Sequence, residues 1–517
     1  MEFDFKVFDS DQLDESFVEW LVEEQWPEIG SHFGRLWDYY YNPMFESAGL
    51  AGFDNTFNVS GRNYLQAQEY GLPARITGVV YPGAGGVLGG RRVSDIQRKE
   101  VVIENDIAWR INAMVDFLFG KSVKFISKAS DPTKRREIEK IIKSVISANG
   151  DAEFLQDMAV LGSVYGFVDC LIRPGAHLFT HDPSYAGSRA VTNDTAAQPH
   201  FPSFESIVKL ASSISLELIE APRALPILDE NNYRKINYYV QNYYQQKNKV
   251  SQSNGFISRL ITGTNSTSQR NNCLITEVIG PEAWQRYVDG QLIAEGVNPF
   301  GTVPVVHIQN LAQPYYYEGI SDVEQLIGLQ DELNTRLSDR ANRITYQTFK
   351  MYLAKGLESF EDKPVSPGRM WCTDNIDASI EEFGGDAETP GENAHIDEIR
   401  EAMDKISGVT PVVAGILKNK IGNLTSGVAL KMTFMGMLAK TNRKQFTYGR
   451  GITQICELIL SLLDKSGVYK TNPEDRGIEV VFADPLPVDT TDKLNEMRIK
   501  KELGVSTETI LSELGYE

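Results

Sequence analysis

Cysteine and long apolar runs are both scarce in this sequence. The four cysteines lie about 100 residues apart and form no C-x-x-C pair, which argues against a disulfide framework and a zinc cluster. No uncharged apolar run reaches the ~18 residues that a membrane span requires. The first residues, MEFDFKVFDSDQLDE, are acidic, whereas a secretory signal starts with basic residues. We therefore predict no membrane contact, no metal, no cofactor and a reducing cytoplasmic environment.

Acidic residues are missing from one window of an otherwise acidic chain. The net charge is −19, and the 517 residues include 70 Asp and Glu, yet none of these lies between residues 405 and 456. The average density would place about seven acids there, whereas the window instead holds eight Lys and Arg. Residues 356–392 show the opposite bias, with ten acids against Lys363 and Arg369. Because affinity for DNA comes mainly from Lys and Arg, the net charge would count against a nucleic-acid partner, but the total hides this uneven distribution.

A phosphate-binding loop is excluded within this window. The stretch KNKIGNLTSGVALKM, residues 418–432, places Gly422 and Gly427 at the spacing of a Walker loop. Val428 and Ala429 then occupy the positions where the Lys and Ser/Thr would bind phosphate and magnesium. A loop that caps the following helix through Thr425 or Ser426 is the simpler interpretation, although it leaves the lysines unexplained.

The 517 residues suffice for about three domains, and the pattern along the chain predicts both helices and strands. Helices are expected over 101–121, over about 133–149 and through AEFLQDMAVLGSVYG, and a sheet over 217–309 with a hairpin at Asp289-Gly290. The capping box S-D-V-E at Ser321 predicts a helix to about Ala354 that packs against copies of itself or another helix. Two strands, at 370–372 and 376–383, a helix at 392–407 and a long helix from Ser426 follow. A strand, GIEVVFADPLP, and two short helices complete an α+β chain.

This order resembles the portal proteins of tailed double-stranded DNA bacteriophages. The resemblance is carried by the following segments: NDIAWRINAMVDFLFG, GSVYG, NPFGTVPVVHIQN, SDVEQLIGLQDELN, SGVAL at Ser426, ADPLP and GVSTETIL. Each motif is weak alone, but their order is specific and spans essentially the whole chain.

The resemblance implies a portal fold with an α/β wing at 1–319 and a stem helix at 320–355. A small α/β clip at 356–390, a returning stem helix at 391–408 and a tunnel loop at 409–426 would follow. The chain would end with a long helix and wing completion at 427–490 and a short helical crown at 491–517.

The same resemblance implies a structural protein without catalytic residues. Portals are twelve-fold rings at one capsid vertex, assembled in the host cytoplasm, through which a terminase motor drives the genome. The implied partners are other copies of the chain, double-stranded DNA bound without sequence preference, the terminase large subunit, head-completion or adaptor proteins, and the major capsid and scaffolding proteins.

Three groups of candidate site residues follow from that plan. The DNA-facing tunnel loop would use Lys418, Asn419, Lys420, Asn423 and Thr425. Secondary basic candidates are Lys431, Lys440, Arg443 and Lys444. The clip would dock partners through Phe360, Trp371, Glu381 and Glu382. As an alternative to DNA contact, the basic residues, and those from 440 to 450 in particular, would pair with acids of the neighbouring subunit.

Two other functional classes remain to be weighed. A nucleic-acid motor or nuclease would need a phosphate loop or a spaced carboxylate cluster for paired metals, and the sequence shows neither. A portal-like protein of a gene-transfer particle or a prophage remnant would share the sequence features above.

Overall fold

The helices and strands of the chain are known from a computed structural model. It describes residues 3–8, 13–46, 64–80, 91–92, 99–175, 178–179, 203–246, 272–348, 351–355, 376–383, 390–414, 432–486, 490–507 and 510. The chain forms two compact units. The first comprises Met1–Leu36, Trp109–Val323 and Gly408–Glu517, and the second comprises Trp37–Ala108 and Glu324–Ser407.

Eleven α-helices lie in the described ranges. They are α1 (Glu15–Trp20), α2 (Trp26–Tyr41), α3 (Ala74–Thr77), α4 (Asp106–Phe119), α5 (Pro132–Ala148), α6 (Ala152–Tyr165), α7 (Phe204–Ala211), α8 (Ile327–Thr348), α9 (Pro390–Ser407), α10 (Met435–Lys465) and α11 (Thr490–Glu502). A π-helical turn, Leu21–Gln25, joins α1 to α2, and a 3-10 turn, Glu324–Leu326, precedes α8.

The described strands pair antiparallel throughout. They are β1 (Met44–Glu46), β2 (Tyr64–Gln66), β3 (Val79–Val80), β4 (Arg91–Arg92), β5 (Lys124–Ser127), β6 (Phe167–Arg173), β7 (Ser215–Ile219), β8 (Ala224–Asp229), β9 (Asn232–Gln246), β10 (Asn272–Ile279), β11 (Ala283–Val288), β12 (Gln291–Val297), β13 (Val305–Gln309), β14 (Met351–Lys355), β15 (Ser379–Phe383) and β16 (Ile478–Val481). The largest sheet has the order β12-β11-β10-β9-β8, and a second has the order β13-β6-β7. The chain is thus a mixture of helix and sheet.

Local sequence signals account for several of these boundaries. The α5 helix begins where the Asp131 side chain accepts a hydrogen bond from the Thr133 amide at 3.0 Å, with Pro132 in its first turn. The hairpin between β11 and β12 turns at Asp289 and Gly290, whose φ angles are +51° and +80°. A two-residue hairpin turn of this kind requires positive φ, which Asp-Gly adopts readily. The helix predicted at 133–149 and the Asp-Gly hairpin are confirmed.

The helix predicted to run from Ser321 to about Ala354 is shorter in the structure. The Ser321 hydroxyl accepts a hydrogen bond from the Val323 amide at 3.0 Å, but the α-helix begins only at Ile327 and ends at Thr348. Its 22 residues make a rod of about 33 Å at 1.5 Å per residue. Residues 351–355 form β14 instead, because their backbone pairs with β15. The predicted strand at 376–383 is confirmed for 379–383, whereas the one at 370–372 lies outside the described residues.

One cluster of buried side chains stabilises the large sheet of the first unit. The N-terminal segment contributes Phe3, Phe5 and Phe8, which pack against the large sheet in one cluster. That cluster also contains Val18, Val22, Leu225, Tyr238, Val240, Val278, Ala283 and Tyr287. The N-terminal segment therefore forms part of the core of this unit.

The second unit contains a polar interface between a helix and an extended segment. On α8, the buried side chains Gln330, Asn334, Ser338 and Asn342 lie four residues apart and therefore share one face. Each of these side chains accepts a hydrogen bond from a backbone amide of the extended segment, and the donors are every second residue from Glu100 to Asp106. The pairs are Asn342 with Glu100 (2.9 Å), Ser338 with Val102 (3.0 Å), Asn334 with Glu104 (3.0 Å) and Gln330 with Asp106 (3.2 Å). Four helical residues rise about 6 Å, close to the rise of two residues of extended chain. We call this set the polar ladder.

The buried leucines of α8 and of the turn before it fit the prediction that this helix packs against a neighbour. It contacts α9, and the apolar side chains Leu326, Leu333 and Leu337 are buried. The helix predicted at 392–407 corresponds to α9. Ile344, further along α8, is 40% exposed, so the buried apolar side chains of this helix end before it.

Candidate functional site

The two ends of the basic window's loop are anchored in one apolar cluster. Val409, Val412 and Val413 lie before segment 415–431, and Phe434, Met437 and Leu438 lie after it. Both groups pack against α4 and the chain near Leu486, through Trp109, Ala113, Met114, Phe117 and Leu486. We call this cluster the loop base. It holds the residues on either side of 415–431 against a single helix.

Polar and backbone features reinforce the loop base. The buried guanidinium of Arg110 donates a hydrogen bond to the Val409 carbonyl at 2.8 Å. Gly408 has a φ of +72°, which favours glycine, and a Cβ there would lie 3.7 Å from the Gly436 carbonyl oxygen. The chain before the loop thus runs close to the start of α10.

The predicted tunnel-loop residues themselves are not described by the structure. They are Lys418, Asn419, Lys420, Asn423 and Thr425, and the secondary candidate Lys431 lies outside the described residues with them. That these residues face DNA remains a prediction. The loop base shows only that the residues on both sides of the segment are held in one cluster.

The next two basic candidates, Lys440 and Lys444, lie inside the first unit. The Lys440 ammonium is 2.7 Å from one carboxylate oxygen of Asp322, and the Lys444 ammonium is 2.6 Å from the other. The Lys444 side chain is 1% exposed and the Asp322 side chain is 8% exposed. The Asn310 amide also donates to Asp322, at 3.1 Å. We call Asp322, Lys440 and Lys444 the ion triad.

The ion triad fixes the charge state of its carboxyl group. Burial by itself would raise the pKa of Asp322, but the neighbouring ammonium groups of Lys444 and Lys440 outweigh that effect and hold the pKa well below its usual range. The carboxylate therefore stays ionised, and its charge is balanced inside the chain. For Lys440 and Lys444 this is a correction: both ammonium groups are directed at Asp322 and not at a surface that DNA could contact.

Arg443 is the remaining described candidate of this group, and it lies on an exposed side of α10, away from Asp322. Its side chain is exposed, as is that of Arg450 two turns further on. Phe446, between them, is 78% exposed. One helix thus carries an inner face that binds Asp322 and an outer face that combines cations with an apolar ring.

A serine–lysine contact next to the ion triad offers no catalytic site. The Lys444 ammonium donates to the Ser163 hydroxyl at 2.8 Å, an arrangement that can activate a nucleophile. Ser163 and Lys444 are each only 1% exposed, so no substrate could approach the hydroxyl. In the ranges that the structure covers, no group of three or more His, Cys, Asp and Glu could hold a metal ion.

The clip candidates are described only in part. Glu381 lies on β15, exposed, with its carboxylate 2.7 Å from the Lys355 ammonium on β14. Glu382 pairs through its backbone with Tyr352. Phe360 and Trp371 lie outside the described residues. The described part of the predicted clip region is therefore the pair of strands between which residues 356–375 lie in sequence.

Sequence reasoning missed the acid that binds Lys440 and Lys444. The two lysines are spaced i, i+4, which places them on one helical face, but Asp322 is more than 110 residues away in sequence. It also missed the polar ladder, whose signal is the four-residue repeat of Gln330, Asn334, Ser338 and Asn342.

The structure also describes three of the four cysteines and the apolar character of the helices. Cys170, Cys273 and Cys456 are free and buried. In the part of the chain that the structure describes, no helix has the length and apolar character of a membrane span.

Comparison with known proteins identifies the family. The chain matches the family model described as "Phage portal protein, SPP1 Gp6-like" over residues 107–516, and it belongs to this family. No curated protein matches it. Among solved structures it is similar to "Virion of native gene transfer agent (GTA) particle" and "Neck of empty GTA particle computed with C6 symmetry". Each match has 10% identity and covers 80% of this chain and 90% of the other, with TM-scores of 0.37 and 0.43. Both scores are below 0.5, so the assignment depends on the family match.

The family match covers most of the chain, including the loop base, the ion triad and the clip strands. The chain is accordingly a portal protein, a structural component of the virion at the capsid vertex. The resemblance inferred from the sequence motifs is confirmed at the level of the family.

Proposed function

We propose that the chain assembles into a ring whose central channel admits double-stranded DNA, with segment 409–426 facing that channel. The observation that carries this proposal is the loop base, which holds both ends of the loop against α4. The loop between them contains Lys418 and Lys420 and no acid. Ring symmetry would repeat these two charges in every subunit and produce a collar of lysines.

Contact with DNA through this collar would be independent of sequence. Lysine ammonium groups attract phosphates, and such contacts position the duplex without reading bases. The −19 charge of the whole chain would limit binding elsewhere in the channel, so the genome would not be retained by its walls.

Reversing the two lysines tests the collar. The double variant Lys418→Glu/Lys420→Glu should form rings normally but package less DNA, or retain it less well, as measured by DNA content per particle and by release after purification. A matched control, Lys6→Glu/Lys470→Glu, changes the net charge equally at two exposed positions of the first unit. Normal packaging and normal retention in the loop variant would contradict the proposal.

We also propose that the clip, residues 356–390, docks the terminase large subunit and then a head-completion or adaptor protein. Its nine acids, together with Phe360 and Trp371, offer carboxylates and aromatic rings to such partners. The same ring would serve a gene-transfer particle as well as an infectious phage, and it would act without hydrolysing nucleotides.

The register of the clip strands permits a clean deletion. Lys355 on β14 pairs with Ser379 on β15, so replacing residues 356–378 by Asn-Gly would close a two-residue hairpin while keeping the strand pairing. This variant should fold and form rings but fail to package DNA and fail to bind terminase in a pull-down experiment. Packaging by the variant would refute the clip assignment.

A further inference from the structure

The outer face of α10 has the composition of an uncovered interface. Met435 and Phe446 are 62% and 78% exposed, and Arg443 and Arg450 are exposed on the same side. We call these four residues the basic face. Buried residues occupy the other side of the helix, so this exposure is not a fraying end. Large apolar side chains next to arginines are enriched at protein interfaces.

The basic face leads into a cleft at Arg450. The cleft has a volume of about 990 Å³ and is lined by α10 residues from Arg450 to Ser461 and by chain segments near β9 and β13. Its cations, besides Arg450, are Arg234, Lys235 and Arg476, against the single acid Glu457. The cleft is thus large enough for an aromatic side chain. Two of its cations are already paired within the chain, Lys235 with Asp229 and Arg476 with Asp464, so Arg450 and Arg234 are the cations that the cleft offers against Glu457.

A complementary surface lies at the start of the same unit. Phe17 and Trp20 stack at a centroid distance of 5.7 Å and are 41% and 40% exposed. The acids Glu15, Glu24 and Glu28 of the same stretch of chain are also exposed. Residues 14–28 include six acids, and no Lys or Arg occurs between residues 7 and 34. We call residues 14–28 the acidic ridge.

We propose that the acidic ridge of one chain docks on the basic face and cleft of a second copy. None of the ridge residues lines the cleft of its own chain, so both surfaces are available to a neighbour. The two surfaces differ, and their contact is therefore head-to-tail, the type that closes into a ring when the rotation between copies allows it. This inference depends on the ring of the proposed function and names the surfaces that form it.

The chemistry of the two surfaces explains how the contact would form. Opposite charges steer two copies into the correct orientation and disfavour ridge-to-ridge and face-to-face pairings. Phe17 and Trp20 would then supply the apolar anchor against Phe446 and the cleft. A few aromatic and arginine anchors carry most of the binding free energy in such interfaces.

Charge reversal on each side, and on both, tests the contact. The ridge variant Glu15→Lys/Glu24→Lys/Glu28→Lys and the face variant Arg443→Glu/Arg450→Glu should each reduce the yield of closed rings at least about tenfold, because attraction becomes repulsion. The chain that carries all five changes should recover rings. Ring yield is measured by native mass spectrometry and electron microscopy, and circular dichroism melting verifies that each variant folds.

A crosslink identifies the contact independently of any folding defect. A photo-reactive phenylalanine analogue at position 446 of otherwise unchanged rings should crosslink to the peptide that contains Phe17 and Trp20 of another copy. A crosslink to a different segment, or unaltered ring yields in both reversal variants, would overturn this inference while leaving the proposed ring intact. Absence of closed rings in the unchanged chain would overturn the proposed function itself, and the inference with it.

Discussion

The two faces of α10 use the same kind of residue for opposite purposes. On the inner face, Lys440 and Lys444 share the carboxylate of Asp322, so both ammonium groups are ion-paired within the chain. On the outer face, Arg443 and Arg450 accompany an exposed Phe446. All four cations belong to one acid-free window, so their local count cannot show which of them stabilise the subunit and which face a partner. The position of each residue around the helix decides that.

The largest expected effect comes from breaking the inner face. Asp322→Asn would leave two buried ammonium groups without their counter-charge and should lower the free energy of unfolding by about 3–5 kcal/mol. Urea unfolding of the isolated subunit measures this effect. Replacing all three members of the ion triad by apolar residues, as Asp322→Leu/Lys440→Met/Lys444→Met, should restore most of the loss, since no uncompensated charge remains. A loss below about 1 kcal/mol for Asp322→Asn would contradict the geometry.

The polar ladder is an uncharged counterpart of the ion triad. Asn334→Leu in the polar ladder removes the acceptor of the Glu104 amide and should cost about 1–3 kcal/mol, less than the charged case because no ion is left unpaired. Thr345→Leu, at an exposed position of the same helix, is the matched control and should change stability little. Equal unfolding midpoints for both variants would show that the ladder does not stabilise the second unit.

Asp38 provides the opposite case to Asp322, because no ammonium group in the described residues pairs with its carboxylate. Burial raises the pKa of Asp38 to about 6. The folded chain therefore holds this proton more tightly than the unfolded chain, and stability falls as the pH rises from about 4 to 6. Asp322 behaves in reverse: its contribution is present above about pH 4 and is lost as the pH falls further.

Asp38→Asn should accordingly stabilise the chain at pH 7 by roughly 1 kcal/mol, a value reduced for the partial exposure of the group. The gain should vanish near pH 4, where Asp38 is protonated in the folded state. Thermal unfolding between pH 4 and 7 measures both statements. A constant difference between the two proteins across that range would disagree with the raised pKa.

The smallest expected effect concerns the outer face. Arg443→Ala or Arg450→Ala should change the unfolding free energy of an isolated subunit by no more than about 0.5 kcal/mol, since both side chains are exposed. The measurement uses the same urea titration as the ion triad variants. A loss comparable to that of Asp322→Asn would mean that the outer face also stabilises the subunit.

Sequence reasoning was most accurate where local signals decide the structure. The α5 helix follows from Asp131 and Pro132, and the β11–β12 turn follows from Asp289-Gly290, because capping and positive φ are properties of a few adjacent residues. The end of α8 could not be predicted in the same way. The segment MYLAK is compatible with a helix, and only its pairing with β15, a strand 24 residues further along, makes it a strand.

The candidate site shows the same limit. Composition located the acid-free window and hence the loop, and the family match covers it. Composition could not separate Lys444 from Arg443, because the partner that distinguishes them, Asp322, is remote in sequence and meets α10 only through the tertiary fold.

The loop base has a consequence for variation in this protein. One cluster already holds residues 409–413 and 434–438 together. The sequence of the segment between them is therefore not needed to bring its two ends together. Doubling the length of segment 415–431 would cost only about 0.6 kcal/mol of closure entropy. Segment 415–431 could therefore gain, lose or exchange residues while the subunit around it stays folded, which makes it a natural place for grafting foreign sequences.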